Sequence, residues 1–80
     1  MKIKKIYYGL KRKNEDSIIL IKNGNFYKTY EEDAIILYFV FGYQIKGNTL
    51  GFPINIFMKI FMKLNALGLN IIVYVLWNTI

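Results

Sequence analysis

Asn23-Gly24-Asn25-Phe26-Tyr27-Lys28 constrains the fold of this chain more than any other stretch. An Asn-Gly pair tolerates the positive φ that a two-residue hairpin turn asks of both central residues. Apolar residues flank it, Ser17-Ile18-Ile19-Leu20-Ile21 before and Phe26-Tyr27 after. The segment therefore predicts two antiparallel strands, 17–22 and 25–30. Alternation along the second strand puts Phe26 and Lys28 on one face and Tyr27 on the other. Two placements of Phe26 are then open. The ring packs in the core, or it stands exposed beside a cation, where it suits a wedge for a nucleic acid duplex.

The surrounding pattern supplies helices and further strands. Residues 3–13 predict a basic amphipathic helix that Gly9 and the β-branched residues weaken, followed by a turn over 14–17. Thr29 and Glu32 have capping-box spacing, and Glu31, Glu32 and Asp33 load a first helical turn with negative charge. That helix is expected to run to Phe41 and stop at Gly42. Its body, 34–41, is apolar on all sides, which requires cover on more than one face or an interface. Residues 43–46 and 49–52 predict short strands about Gly47-Asn48, with Pro53 ending the second. Asn55 is placed to cap a helix whose stripe is Phe57, Ile60, Phe61, Leu64 and Leu67, with Lys59 and Lys63 opposite and Gly68 as the stop. Residues 71–77 are β-branched and aromatic without alternation, as in a strand buried on both faces. The expected architecture is one domain over 1–80, with a basic N-terminal helix at 3–13 and a core over 16–77. Its class is α/β (α+β), a small mixed β-sheet packed with about three helices.

Charge and composition narrow the chemistry. Lys2, Lys4, Lys5, Lys11, Arg12 and Lys13 precede the first acid, Glu15, while five later lysines balance the five acids, so the net +6 sits in the N-terminal segment. A polyanion suits such a cluster, either nucleic acid phosphate or an anionic membrane surface; a solvated helix face is the plainer reading. Cysteine and histidine are absent, which removes thiolate chemistry, disulfides and the commonest general base and metal ligand. Glu15-Asp16 reads as a turn and Glu31-Glu32-Asp33 as helix-dipole decoration, so no enzyme, metal or cofactor is expected. The hydrophobic fraction of 55% in eighty residues leaves apolar surface for a homodimer or for docking on a larger protein. No signal-peptide pattern forms, and 34–41 and 71–77 fall short of the roughly 20 apolar residues of a bilayer crossing. The expected location is cytoplasmic.

Several fragments in order carry a family resemblance. Asp16-Ser17-Ile18-Ile19-Leu20, Gly24-Asn25-Phe26-Tyr27-Lys28, Glu32-Asp33-Ala34, Leu50-Gly51-Phe52-Pro53 and the helix and strand after Asn55 resemble the N-terminal mismatch-recognition domain, domain I, of the MutS family of DNA mismatch-repair proteins. The similarity spans about Tyr8 to Val75. It implies that Phe26 wedges into the minor groove beside a mispaired or unpaired base, in double-stranded DNA that is mismatched or bulged. Lys28 then stands where the family has a Glu that hydrogen-bonds the displaced base. Lysine only donates, so it can reach base acceptors or phosphate but cannot replace a carboxylate. Lys46-Gly47-Asn48 is a shortened form of the family's basic stretch, which makes Lys46 and Asn48 further candidates for DNA contact. The N-terminal cations would add phosphate contacts. Eighty residues leave no room for lever, clamp or ATPase domains, and no Gly-x-x-x-x-Gly-Lys-Ser/Thr loop occurs, so a stand-alone module is expected. Three readings follow: a module for distorted or mismatched duplex, an accessory protein-interaction module that kept the fold but lost mismatch recognition, and association with a membrane surface, the least favoured.

Overall fold

The computed structural model describes residues 2–76, with side chains from Ile3 onward. Lys2 as a charged side chain and Trp77 as the end of the last strand lie outside the described residues. Element order is α1 (Lys2–Lys13), β1 (Ser17–Asn23), β2 (Phe26–Tyr30), α2 (Glu31–Phe41), β3 (Thr49–Pro53), a 3-10 turn (Ile54–Ile56), α3 (Phe57–Ala66) and β4 (Asn70–Leu76). The sheet is four-stranded, order β3-β2-β1-β4, with β1 parallel to β4 and the other pairs antiparallel. This is the expected mixed sheet with three helices. The helices divide between its two faces because alternation sends successive strand residues to opposite sides.

On one face Ile18, Leu20, Tyr27, Leu50 and Phe52 pack against Ala34 and Leu37 of α2 and Ile60 and Leu64 of α3. On the other, Ile19, Ile21 and Tyr30 pack against Tyr7, with Ile3, Ile6 and Leu10 of α1 around them. A three-residue link joins α1 to β1, so α1 runs back along β1 in the opposite direction.

A buried polar anchor ties these layers together. Asp33, fully buried at the start of α2, accepts hydrogen bonds from the Tyr7 hydroxyl at 2.9 Å and the Ile19 N–H at 3.1 Å, and pairs with Lys11 Nζ at 2.9 Å. Lys11 also donates to the Ser17 carbonyl at 2.6 Å. One carboxylate thus holds α1, β1 and α2 in a single register, with its acceptor capacity filled as burial demands. Burial, and then the bond to Asp33, pushes the Tyr7 phenol far above its usual range.

Local expectations were revised wherever a distant partner intervened. The hairpin loop is Gly24-Asn25, because Asn23 pairs with Phe26; only Gly24 takes positive φ (+65°), as a turn with glycine in its first central position requires. Residues 43–46 form no strand beyond a single bridge from Lys46 to Thr49, since β3 gives its ladder to β2 and Tyr43 and Ile45 pack against the core. The capping box does not form. Thr29 faces inward as a β2 residue, Tyr30 occupies the N-cap, and the Glu31 N–H is met by the Asn48 carbonyl at 2.9 Å. Asn55 lies within the 3-10 turn, and Ile56 precedes α3. Gly42 ends α2 as expected, its N–H on the Tyr38 carbonyl. The stripe of α3 buries Ile60 and Leu64 but leaves Leu67 exposed past the helix end.

The two all-apolar segments are less covered than their sequences suggest. β4 is an edge strand with Val73, Tyr74 and Val75 exposed, so burial on both faces is corrected. In α2 only Asp33, Ala34 and Leu37 are buried, while Ile35, Tyr38 and Phe39 face solvent. Among the described residues, no helix is long and apolar enough to cross a membrane.

Candidate nucleic-acid interface

The site is built from the β1–β2 turn outward. Gly24 supplies the left-handed residue and Asn25 follows it; the Asn25 carbonyl then accepts the Ile54 N–H at 3.0 Å, which clamps the loop to the end of β3. Phe26, the first residue of β2, sits directly across from Pro53. It is 51% exposed, whereas Tyr27 beside it is buried and stacks between Phe52 and Phe57 at centroid distances of 5.3 and 4.7 Å. The anchoring of Tyr27 is what fixes the outward aim of its neighbour. Phe26 shares its face with Tyr30, but α1 covers only the Tyr30 end. The ring is therefore left on the part of that face that α1 does not cover, with Gly51 and Pro53 of β3 exposed beside it.

Lys28 lies two residues along the same face, about 7 Å away along the strand. It is half-buried against Gly51, where a Cβ would stand 3.9 Å from its Cγ. Beyond β3 a groove of about 420 Å³ is lined by Phe26, Gly51, Phe52, Tyr43, Gln44 and Lys46 among others. Lys46 is exposed and, among the described residues, is the only charged one lining that groove. The structure thus gathers Phe26, Lys28 and Lys46 around the β2–β3 edge.

The remaining candidates part company with them. Asn48 is turned inward: its Nδ2 donates to Glu31 Oε2 at 2.7 Å while its carbonyl takes the Glu31 N–H. Glu31, also bonded by the Tyr8 hydroxyl, is held at φ +50°, a left-handed conformation costing a non-glycine residue about 1–2 kcal/mol. Asn48 is accordingly a brace for the β2–α2 junction, and Glu31 is more than helix-dipole decoration. The Tyr8 phenol is pushed up chiefly by its bond to Glu31.

The basic helix does not present one cationic face. Lys11 is only 13% exposed and is neutralised by Asp33, so it leaves the set of free cations. Lys4 and Lys5 lie on the half of α1 nearer the hairpin end of β1, given the antiparallel course of the helix. Arg12 and Lys13 lie roughly 12–14 Å along the helix from Lys4, towards the opposite end. There a second depression, about 510 Å³, is lined by Lys11 and Arg12 but also by Glu15, Asp16 and Glu32. Mixed signs make it a poorer seat for phosphate than the β3 groove. Among the described residues, no three of His, Cys, Asp and Glu gather as metal ligands.

Tyr43, Gln44 and Gly51 are not read from the sequence as site residues, although Gly51 stands in one of the fragments that carry the resemblance. No periodicity marks them, since Gly51 nears Phe26 only through the non-local pairing of β3 with β2, and Tyr43 and Gln44 only through the groove beyond β3. No curated protein matches the chain in sequence. The family described as MutS domain I matches it over residues 2–75, nearly its whole length. The hairpin, mixed sheet and three-helix arrangement occupy that same span. The chain belongs to the MutS domain I family, and with it to the mismatch-recognition-like DNA-binding domains.

Proposed function

We propose that this domain binds double-stranded DNA at mismatched or otherwise distorted steps by inserting Phe26 from the minor groove, with Lys28 and Lys46 on the flanking backbone. The observation that carries the reading is the half-exposed ring on a strand whose next residue is locked in the core. A wedge must be firmly held as well as apolar, and Phe26 is an apolar ring on a strand whose next residue, Tyr27, is stacked in the core. About half of a Phe surface of roughly 200 Å² remains to be buried, which at about 25 cal/mol per Å² yields about 2.5 kcal/mol. Unstacking a sound step costs a few kcal/mol, so that gain alone does not open matched duplex. A mispaired or bulged step is already loosened, and there the balance favours insertion.

Lys28 in place of a carboxylate directs the site towards phosphate and base acceptors, which raises general affinity at the expense of discrimination. In this reading the domain is a binding module without ATPase or clamp activity, and not an enzyme. The carboxylates brought together around Asp33 and Glu31 are engaged in structural bonds.

The test is fluorescence anisotropy on matched, G·T-mismatched and single-base-bulge duplexes at fixed salt. Phe26→Ala is expected to lose the preference for distorted duplex, and Lys28→Glu to sharpen it while lowering overall affinity. An unchanged preference in Phe26→Ala overturns the wedge.

A second reading, an accessory module that docks a protein partner or a second copy, is favoured by Phe39, 78% exposed, with Ile35 and Tyr38 on α2. Sedimentation of the domain alone and with DNA separates the two.

A further inference from the structure

We propose that β4 is a docking edge for a second copy of this chain, joined antiparallel so that the two four-stranded sheets become one. This reading does not depend on the DNA-binding one, and it puts the contact on a different element from α2.

The two edges of the sheet are finished differently. β3 is five residues long, ends in Pro53 and is met on its outer side by the Lys46–Thr49 bridge. A short strand, a proline and a covering segment are devices that stop an edge from recruiting another strand. β4 has none of them. Among the described residues it has a neighbour on one side only, β1, and it runs for seven residues without a charge or a proline. Its register is unbroken, from Ser17 opposite Asn70 to Asn23 opposite Leu76, so no bulge turns the edge away. Every second residue therefore points its N–H and C=O outward, with no strand to receive them.

A second copy suits this edge. An antiparallel pairing about a two-fold axis at Val73 sets Val73 against its own copy, Ile72 against Tyr74 and Ile71 against Val75. These are β-branched and aromatic cross-strand pairs, which stabilise a sheet. No like charges meet, since the strand carries none. Val73, Tyr74 and Val75 are 39%, 39% and 37% exposed, which leaves roughly 200 Å² of side chain to cover in each copy. With the half-buried Ile71, Ile72 and Leu76 and the strand backbone, the pair would bury roughly 1,000 Å² in all, the lower bound for a specific interface.

The helices allow the approach. Tyr8 and Lys11 bind Glu31 and Asp33, so that flank of α1 faces α2. Ile6 and Leu10 lie on the other flank, in the same cluster as Ile72 and Leu76 of β4. In the paired sheet β1 and its copy stand three strand spacings apart, about 14 Å. Packed helices need only about 8–10 Å, so α1 clears its copy, and Tyr74, on the same face as Ile72, fills the space between. Each copy carries +6, so repulsion weakens the dimer at low salt and screening strengthens it.

The test is sedimentation velocity of the full chain without DNA, over a concentration series up to about 1 mM. Self-association in the micromolar range is expected, tighter at high salt than at low. Val73→Lys sets two lysines face to face and is expected to weaken it by at least about ten-fold. Circular dichroism checks that variant, and if it unfolds Val73→Cys carries the test. The chain has no other cysteine, so Val73→Cys, opposite its own copy, is expected to form an intermolecular disulfide on mild oxidation. Val75→Cys, about 14 Å from its copy, is not. A monomer at every concentration overturns the edge, as does equal cross-linking of the two cysteine variants. Association that Val73→Lys leaves unchanged and Phe39→Lys abolishes also overturns it, and moves the contact to α2. No DNA is present, so each outcome leaves the wedge at Phe26 to its own test.

Discussion

Replacing Asp33 by Asn should destabilise this domain far more than an isosteric change usually does. The carboxylate is fully buried and holds Lys11 Nζ at 2.9 Å, the Tyr7 hydroxyl at 2.9 Å and the Ile19 N–H at 3.1 Å. Asn keeps one acceptor oxygen for Tyr7 and Ile19 but turns an NH₂ donor towards the Lys11 ammonium. Removing one partner of a buried pair costs about 3–5 kcal/mol, because the other charge is left uncompensated. Lys11 retains the Ser17 carbonyl, Glu32 Oε2 at 3.9 Å and 13% side-chain exposure, which lowers the expectation to about 2–4 kcal/mol. Eighty residues give a total stability of roughly 4–12 kcal/mol, so a large share would disappear. Urea melts followed by circular dichroism measure the loss, and a cycle with Lys11→Met isolates the pair. The double variant, which buries no unpaired charge, should be more stable than Asp33→Asn alone. A cost below about 1 kcal/mol for Asp33→Asn, or single costs that add to the double within about 0.5 kcal/mol, would refute the anchor.

Three further outcomes follow from the same geometry. The folded Tyr7 phenol titrates well above its unfolded value near pH 10, so its contribution is complete below that pH and falls away as pH rises further; Tyr7→Phe, less stable at neutral pH, should show a shallower alkaline loss in pH-dependent melts. Gly9→Ala should stabilise by about 0.5–1 kcal/mol, since nothing lies within 4 Å of the added Cβ in α1, whereas Gly24→Ala at φ +65° should cost about 1–2 kcal/mol; chemical denaturation distinguishes the signs. Lys46→Gln should lower the slope of log affinity against log salt by about one unit on every duplex, while Lys13→Gln, on the half of α1 away from the hairpin, should leave it unchanged.

The site illustrates which features a linear reading can reach. Phe26 and Lys28 are neighbours on one strand face, and alternation alone puts them there. That Phe26 stays exposed follows from where α1 ends its cover and from the anchoring of Tyr27 between Phe52 and Phe57. Lys46 joins them because β3 pairs with β2, which also brings up Tyr43, Gln44 and Gly51. Asn48 and Lys11 looked like DNA-facing groups in sequence, where a polar residue carries no sign of its partner. In the fold each is bound to a carboxylate, from Glu31 and Asp33 respectively.

What the amino-acid sequence determined by itself is what short-range physics governs: the β1–β2 hairpin, the stripe of α3, the stop at Gly42 and the N-terminal excess of charge. These depend on side-chain periodicity and on φ preferences within a few residues. The tertiary structure alone decided that β4 lies at an edge, that the capping box gives way to the Asn48 carbonyl, that one lysine of the basic helix is internal, and that a groove opens beside Phe26. Each of these depends on which distant segment fills a strand edge or meets a buried charge. Such choices are settled by burial and hydrogen-bond satisfaction over the whole domain, which no local window contains.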